Sequence, residues 1–176
     1  MISKEELIEI IKPTKYTDEV LDKLVDSLNQ VFTLYKINTT LRQNHFLAQV
    51  LHESGAFRYK EEIASGKAYE GRKDLGNTTI GDGVKYKGRA VIQITGKSNY
   101  EQASRDFKVD FVNHPELAAE FPYCTLIAGW FWDKKNLNMF ADKDDILTIT
   151  KRINGGVNGL EDRKKWLAKC KQINNK

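Results

Sequence analysis

Eight of the twelve glycines fall between Gly55 and Gly96. Most are strung through "SGKAYEGRKDLGNTTIGDGVKYKGR". Glycines this evenly scattered argue against a continuous helix or strand, because each weakens an element interior by roughly 0.5–1 kcal/mol. An irregular stretch of such length is either functional or disordered. Tyr59, Tyr69 and Tyr86 within it argue against disorder, and "VIQI" (91–94) predicts a short strand just before Gly96. On both sides the spacing of apolar residues is helical. The expected fold class is therefore mainly α, with one long glycine-rich insertion between helices and at most a small β element.

The flanking helices carry their own start and stop signals. Ser3-Lys4-Glu5-Glu6 fits a capping box that opens a first helix, and Pro13 ends it. Val20, Leu21, Leu24, Val25, Leu28, Val31 and Phe32 predict a second helix starting at Thr17 or Asp18. A third runs from about Thr40 to Ser54, with Gly55 as its C-cap. Beyond the insertion, helices are expected over Ser98–Asp106, Glu116–Phe121, Pro122 to about Lys135, about Asp142–Ile153, and Leu160–Ile173. No repeat, low-complexity tract or linker interrupts the chain, which reads as one domain over residues 1–176.

Hydrophobic residues at 40% and charged residues at 30% describe an ordinary globular protein. The opening "MISKEELIEIIKP" shows no signal peptide, since Glu5 and Glu6 stand where a basic and then apolar region is needed. The longest apolar run, "TLIAGWFW", falls far short of the roughly 20 residues that span a bilayer, so no stable membrane insertion is expected. A net charge of +4 suits an anionic polymer, and equally a solvated helix face. The arginine-rich clusters that mark nucleic-acid motifs are missing, so nucleic acid is not an expected partner. Cys124 and Cys170 form no CxxC; one disulfide between them is possible, and buried free thiols are the preferred reading. The three histidines form no Cys/His cluster, which leaves no expected metal.

On a helical wheel, Phe46, Leu47, Val50 and Leu51 form the apolar stripe of the third helix. Glu53 projects from its edge and His52 points elsewhere. A carboxyl at the end of a buried face loses water, which favours its protonated form, the state a general acid requires. The same pattern fits a glutamate that turns to solvent at a frayed helix end. Hydrolysis of a glycosidic bond normally takes two carboxyl groups, and Glu61 or Glu62, beyond the Gly55 turn, offers the second. Other motifs fail their own tests. "HES" lacks the second histidine of HExxH, "INGGVNG" lacks the ending of a P-loop, and "GDG" lacks a calcium loop's acidic spacing. The "WFW" run reads as core.

Taken together, "HESGAFRY" with Glu62, "YEGRKDLGNT", "GDGVKYKGRAVIQITGKSNY", "NHPELAA" and "RINGGVNGLEDR" resemble glycoside hydrolase family 19, in particular its compact endolysin-type branch, over roughly Leu41 to Trp166. The resemblance implies a lysozyme-like, two-lobed helical fold around a polysaccharide cleft, with no cofactor. It implies Glu53 as general acid and Glu62, rather than Glu61, as the residue activating water for an inverting displacement. Thr95 then corresponds to the hydroxyl that helps hold that water. Gln93, Asn99 and Asn154 correspond to substrate amides, and Arg163 to a basic residue of the carboxylate network, where it is expected to favour one ionised carboxylate while the apolar helix face keeps the other protonated. Tyr86 is the candidate substrate-contacting aromatic of the glycine-rich segment. Ala90 stands where the family's block has glycine. The implied function is an endolysin-type glycosidase of peptidoglycan strands, with a chitinase or a non-catalytic glycan-binding relative as alternatives. It is expected to act as a monomer, made in a host cytoplasm and reaching the wall by holin-type release or dedicated secretion.

Overall fold

The structure, a computed structural model, describes residues 1–174. Helix α1 (Lys4–Ile11) opens with the expected capping box. Ser3 Oγ accepts from the Glu6 amide, and the Glu6 carboxylate accepts from the Ser3 amide. Helix α2 (Asp18–Leu34) is capped by Thr17 and buries Leu21, Leu24, Leu28, Val31 and Phe32. Helix α3 (Thr40–Ser54) has the expected bounds and ends at Gly55, whose φ of 57° is left-handed. From Gln43 to Leu51 every residue of α3 is buried, so it is the central helix rather than a half-exposed one.

A central helix containing Gln43, Asn44, His45 and Gln49 must find partners for each, since an unpaired buried polar group costs about 1–3 kcal/mol. Gln43 donates to the Ile37 carbonyl. Asn44 accepts from Asn174, and His45 bonds Asp144 at 2.7 Å. Gln49 accepts from Arg163. Helix α9 (Leu160–Asn174) supplies Arg163 and Asn174, so these polar contacts dock it against α3 at both ends.

The remaining helices are α4 (Asp82–Lys85), α5 (Lys97–Phe107), α6 (Tyr123–Lys134), α7 (Asn138–Ala141) and α8 (Ile146–Asn154). Helix α6 is apolar around nearly its whole circumference, which requires neighbours on both sides. It has them. Trp132 and Leu126 face the larger core, where Trp132 meets Phe46 edge-on at 5.4 Å. Ile127 and Trp130 face a smaller core built from Tyr86, Ala90, Ile94, Tyr100 and Phe111. Two cores sharing one helix give the two lobes. The "WFW" run is thus core as expected, with Phe131 only partly buried. Cys124 and Cys170 are buried free thiols, and burial pushes both up to about 12.

Three local expectations are corrected. The "VIQI" residues form a turn closed by Arg89–Ile94 backbone bonds, with only isolated bridges among residues 61, 89 and 94. The helix expected over 116–121 is a 3-10 turn over Pro115–Ala119. The helix expected over about Asp142–Ile153 begins only at Ile146, as α8, with residues 142–145 forming the turn after α7. Asp144, at φ 55°, leaves the helical region, and Asp145 caps α8 through the Thr148 amide.

The glycine-rich segment is ordered by side chains bonding backbone. Glu70 accepts from the amides of Gly81 and Gly83, and Asp82 accepts from those of Thr78 and Thr79. A Cβ on Gly83 would come within 2.5 Å of the Glu70 carboxylate, so only glycine fits there. Ala90 is a different case. It is fully buried at φ 86°, a conformation that costs a residue with a Cβ about 1–3 kcal/mol. Ala90→Gly relieves that cost while losing about 0.8 kcal/mol of methyl burial and restoring some unfolded-state entropy. The expected net change is near zero. Ala103→Gly, buried within α5, lacks such relief and should cost about 2 kcal/mol. Parallel thermal melts check this: equal losses of Tm in the two variants would show that Ala90 stores no strain.

Candidate active site

The first group of candidate residues sits where the last turn of α3 meets the start of α9. Arg163 is 1% exposed, yet it is a cation. Such a charge is tolerated only when paired and hydrogen-bonded. Its Nη1 donates to Gln49 Oε1 and its Nη2 to Glu53 Oε1, while Nε has no partner among the described residues. The Glu53 side chain is 26% exposed. It is therefore neither sunk in an apolar face nor released to solvent, but held at the margin by one oxygen. The other oxygen, Oε2, has no hydrogen bond among the described residues. This corrects the environment read from the wheel. The guanidinium lies against Glu53, the carboxylate expected to be sheltered by apolar groups alone.

Neighbouring residues fix this corner. His52 Nδ1 bonds Asp162 at 2.7 Å. Its ring lies so close to Gly159 that a Cβ there would fall 2.3 Å away. Asn154 is exposed and uses both ends of its amide locally, accepting from the Gly156 amide and donating to the Asn158 carbonyl. It staples the "NGG" turn that leads into α9. That gives Asn154 a structural task alongside the substrate contact implied by resemblance.

The second group lies on the glycine-rich segment. Glu62 is partly buried. Its Oε2 accepts from the Tyr69 hydroxyl at 2.9 Å, while Oε1 is buried with no donor among the described residues. The bond to Glu62, together with burial, raises the Tyr69 phenol above its ordinary value. Glu61 is placed quite differently. Its Oε1 meets Lys87 at 2.9 Å and Arg89 at 3.2 Å. Burial pushes Glu61 up, but the two cations more than offset it and hold the carboxyl below its usual range. Adjacent glutamates thus divide into one structural ion pair and one under-satisfied carboxyl.

Gly88 gathers the rest of this group. Its carbonyl accepts from the Glu62 amide at 2.9 Å. A Cβ on Gly88 would lie 2.4 Å from Gln93 Oε1 and 3.3 Å from Thr95 Oγ1. The bare α-carbon is what lets the Gln93 amide and the Thr95 hydroxyl approach the chain beside Glu62. Asn99 donates to the Thr95 carbonyl at 2.8 Å. Gln93 and Asn99 also open onto a groove of about 420 Å³ that Trp130 and Phe131 wall.

Tyr86 is not in either group. It is 2% exposed, tilts against Tyr100 at 5.3 Å, and donates its hydroxyl to the Val112 carbonyl. Its expected substrate contact is corrected to a core role: the ring anchors the smaller lobe. Sequence reading missed Gln49, Tyr69 and Gly88 as parts of the site. Gln49 carried a usable signal, a polar residue inside the apolar stripe of α3. The Tyr69 contact carried none beyond the segment's tyrosines.

A two-lobed helical fold, almost strand-free among the described residues, with glutamates at a helix end and on the loop beyond it, is that of a glycoside hydrolase. The family model described as "Chitinase class I" matches residues 44–157. A Haemophilus influenzae protein described as glycosyl hydrolase family 19 domain-containing is 32% identical over 154 residues, covering 70% of this chain and 75% of that one. An Arabidopsis thaliana endochitinase is 38% identical over 130 residues, 72% of this chain but 44% of its own length. Among solved structures, chitinase C from Streptomyces griseus superposes with a TM-score of 0.77 at 20% identity, covering 99% of this chain and 92% of that one. The chain belongs to glycoside hydrolase family 19.

Proposed function

We propose that the protein is an endolysin-type glycosidase that hydrolyses the β-1,4 bonds of peptidoglycan strands with inversion. The observation carrying the mechanism is the contrast between neighbours: Glu62 has a buried oxygen without a donor among the described residues, while Glu61 is neutralised by Lys87 and Arg89. Glu62 is the base. It takes a proton from a water that Thr95 Oγ1 helps hold, and that water's oxygen bonds to the anomeric carbon. Glu53 is the acid. It delivers its proton from Oε2 to the departing glycosidic oxygen, and Arg163 stabilises the carboxylate left behind. Inversion requires the two carboxyls to stand roughly 6.5–9.5 Å apart, one on each face of the sugar.

A peptidoglycan substrate is supported by the short Glu53-to-Glu62 spacing, the two free buried cysteines and the +4 charge, which raises encounter rates with an anionic wall at low salt. In this reading the enzyme works as a monomer and reaches the wall after membrane permeabilisation or by dedicated secretion. The chitinase reading is favoured by a specific observation too, since the Arabidopsis and maize relatives are endochitinases. Digestion of purified peptidoglycan and of chitin oligomers, with mass spectrometry of the new reducing ends, separates the two. The expected result is faster release of muropeptides from wall than of short oligomers from chitin. Faster turnover of chitin would overturn the substrate and leave the acid–base pair standing.

A further inference from the structure

Chitin is neutral along its length, whereas a peptidoglycan strand carries carboxylates on its peptide substituents. A site that grips such a carboxylate must lie beside the sugar-contacting amides and offer a cation. It must also be free of competing acids. The groove that opens from Gln93 and Asn99 meets each requirement. Its far side is the C-terminal end of α6, where Trp130 and Phe131 give an aromatic wall and Lys134 and Lys135 line the edge, with no Asp or Glu in the lining.

The two lysines are not equivalent. Lys134 sits 4.3 Å over the Trp130 ring and 3.3 Å from Asp106, and the same Asp106 oxygen accepts from the Trp130 indole. That network fixes the wall and largely neutralises Lys134. Lys135 stands 5.6 Å from the Phe131 ring centre and pairs with no carboxylate among the described residues. A cation over an aromatic face, at the mouth of a partly enclosed groove, is poised to accept an anion without first breaking a salt bridge.

We infer that this groove is a subsite for the carboxylate-bearing peptide substituent of the glycan, with Lys135 as its anion contact and Phe131 and Trp130 as its wall. The inference rests on the peptidoglycan reading, and Lys135 becomes a specificity-determining residue for it. The charge contact is partly solvated, so it is worth only a modest factor.

The test measures binding, apart from turnover. A disaccharide-peptide fragment of peptidoglycan is titrated into the Glu53→Gln protein, in parallel with the same fragment after its carboxylates have been converted to amides. The carboxylate form should bind about three- to fivefold more tightly at low salt, and that ratio should fall toward one at high salt. In the Glu53→Gln/Lys135→Gln protein, with an unchanged circular dichroism spectrum, the ratio should be about one at every salt concentration. A ratio that survives loss of Lys135, or that is already one when Lys135 is present, overturns the subsite. Wall digestion by the wild-type enzyme tests the underlying reading independently. Failure to cut wall alongside a Lys135-dependent ratio would reject peptidoglycan as the polymer and keep the carboxylate site.

Discussion

Glu53→Gln is expected to lower kcat by about a thousandfold or more while substrate still binds. A positioned general acid is worth roughly 10²–10⁴ in rate, and the amide keeps the shape of the side chain while losing its transferable proton. The structure adds a stability effect. Arg163 loses the carboxyl group that accepts from its buried Nη2, though the Gln49 carbonyl and the new amide oxygen still accept from it. With Glu53 about a quarter exposed, the loss should be about 1–2 kcal/mol, well below that for a fully buried pair. A Tm lower by a few degrees, with an unchanged circular dichroism spectrum at the assay temperature, would assign the activity loss to chemistry. Activity within a few-fold of wild type would remove Glu53 from the mechanism.

Glu62→Gln and Glu61→Gln should differ by at least a hundredfold in kcat despite being adjacent. Glu62→Gln removes the base and replaces an acceptor with a carboxamide that cannot take the proton of water. Tyr69 can still donate to its oxygen, so folding should be little affected. Glu61→Gln leaves the reacting groups alone and weakens an ion pair. Lys87 and Arg89 lose a shared anion, but Arg89 keeps the Lys85 carbonyl and the Tyr100 hydroxyl. Its effect should appear chiefly as a small loss of Tm, with activity within a few-fold. Steady-state kinetics and melts on the two purified variants check this. The opposite ranking would exchange the two residues' roles.

The sequence and the structure agree best where short-range rules decide. The bounds of α3 follow from a threonine cap, an apolar stripe and a glycine at the left-handed position. The capping box of α1 works the same way. They part where a distant residue settles the matter. The break before α8 is set by Asp144 at positive φ, bonded to His45 and Lys171 from two other helices. No local pattern announces those contacts. The "VIQI" alternation suits a strand because its side chains suit burial, yet among the described residues it has no long partner strand, only a tight turn closed on Arg89.

The candidate site divides along the same line. The positions of Glu53, Glu62, Gln93, Thr95 and Asn99 were legible as motif residues. What surrounds them was not. Arg163 reaches Glu53 across 110 residues of chain, so the helical wheel alone gives that carboxyl an apolar setting. Tyr86 and Tyr69 have the same residue type in the same glycine-rich segment, but one supports a core and the other binds Glu62. Composition cannot rank them, because burial is set by packing against α5 and the chain near Val112.

The central claim is that Glu62 activates water opposite a proton donated by Glu53, and the anomeric configuration of the first product reports on it directly. Proton NMR of a β-1,4-linked substrate, recorded within the first minutes of hydrolysis and before mutarotation, should show the α-anomer appearing first. A β-anomer at that stage would mean retention of configuration, and the water-activating role of Glu62 would be wrong.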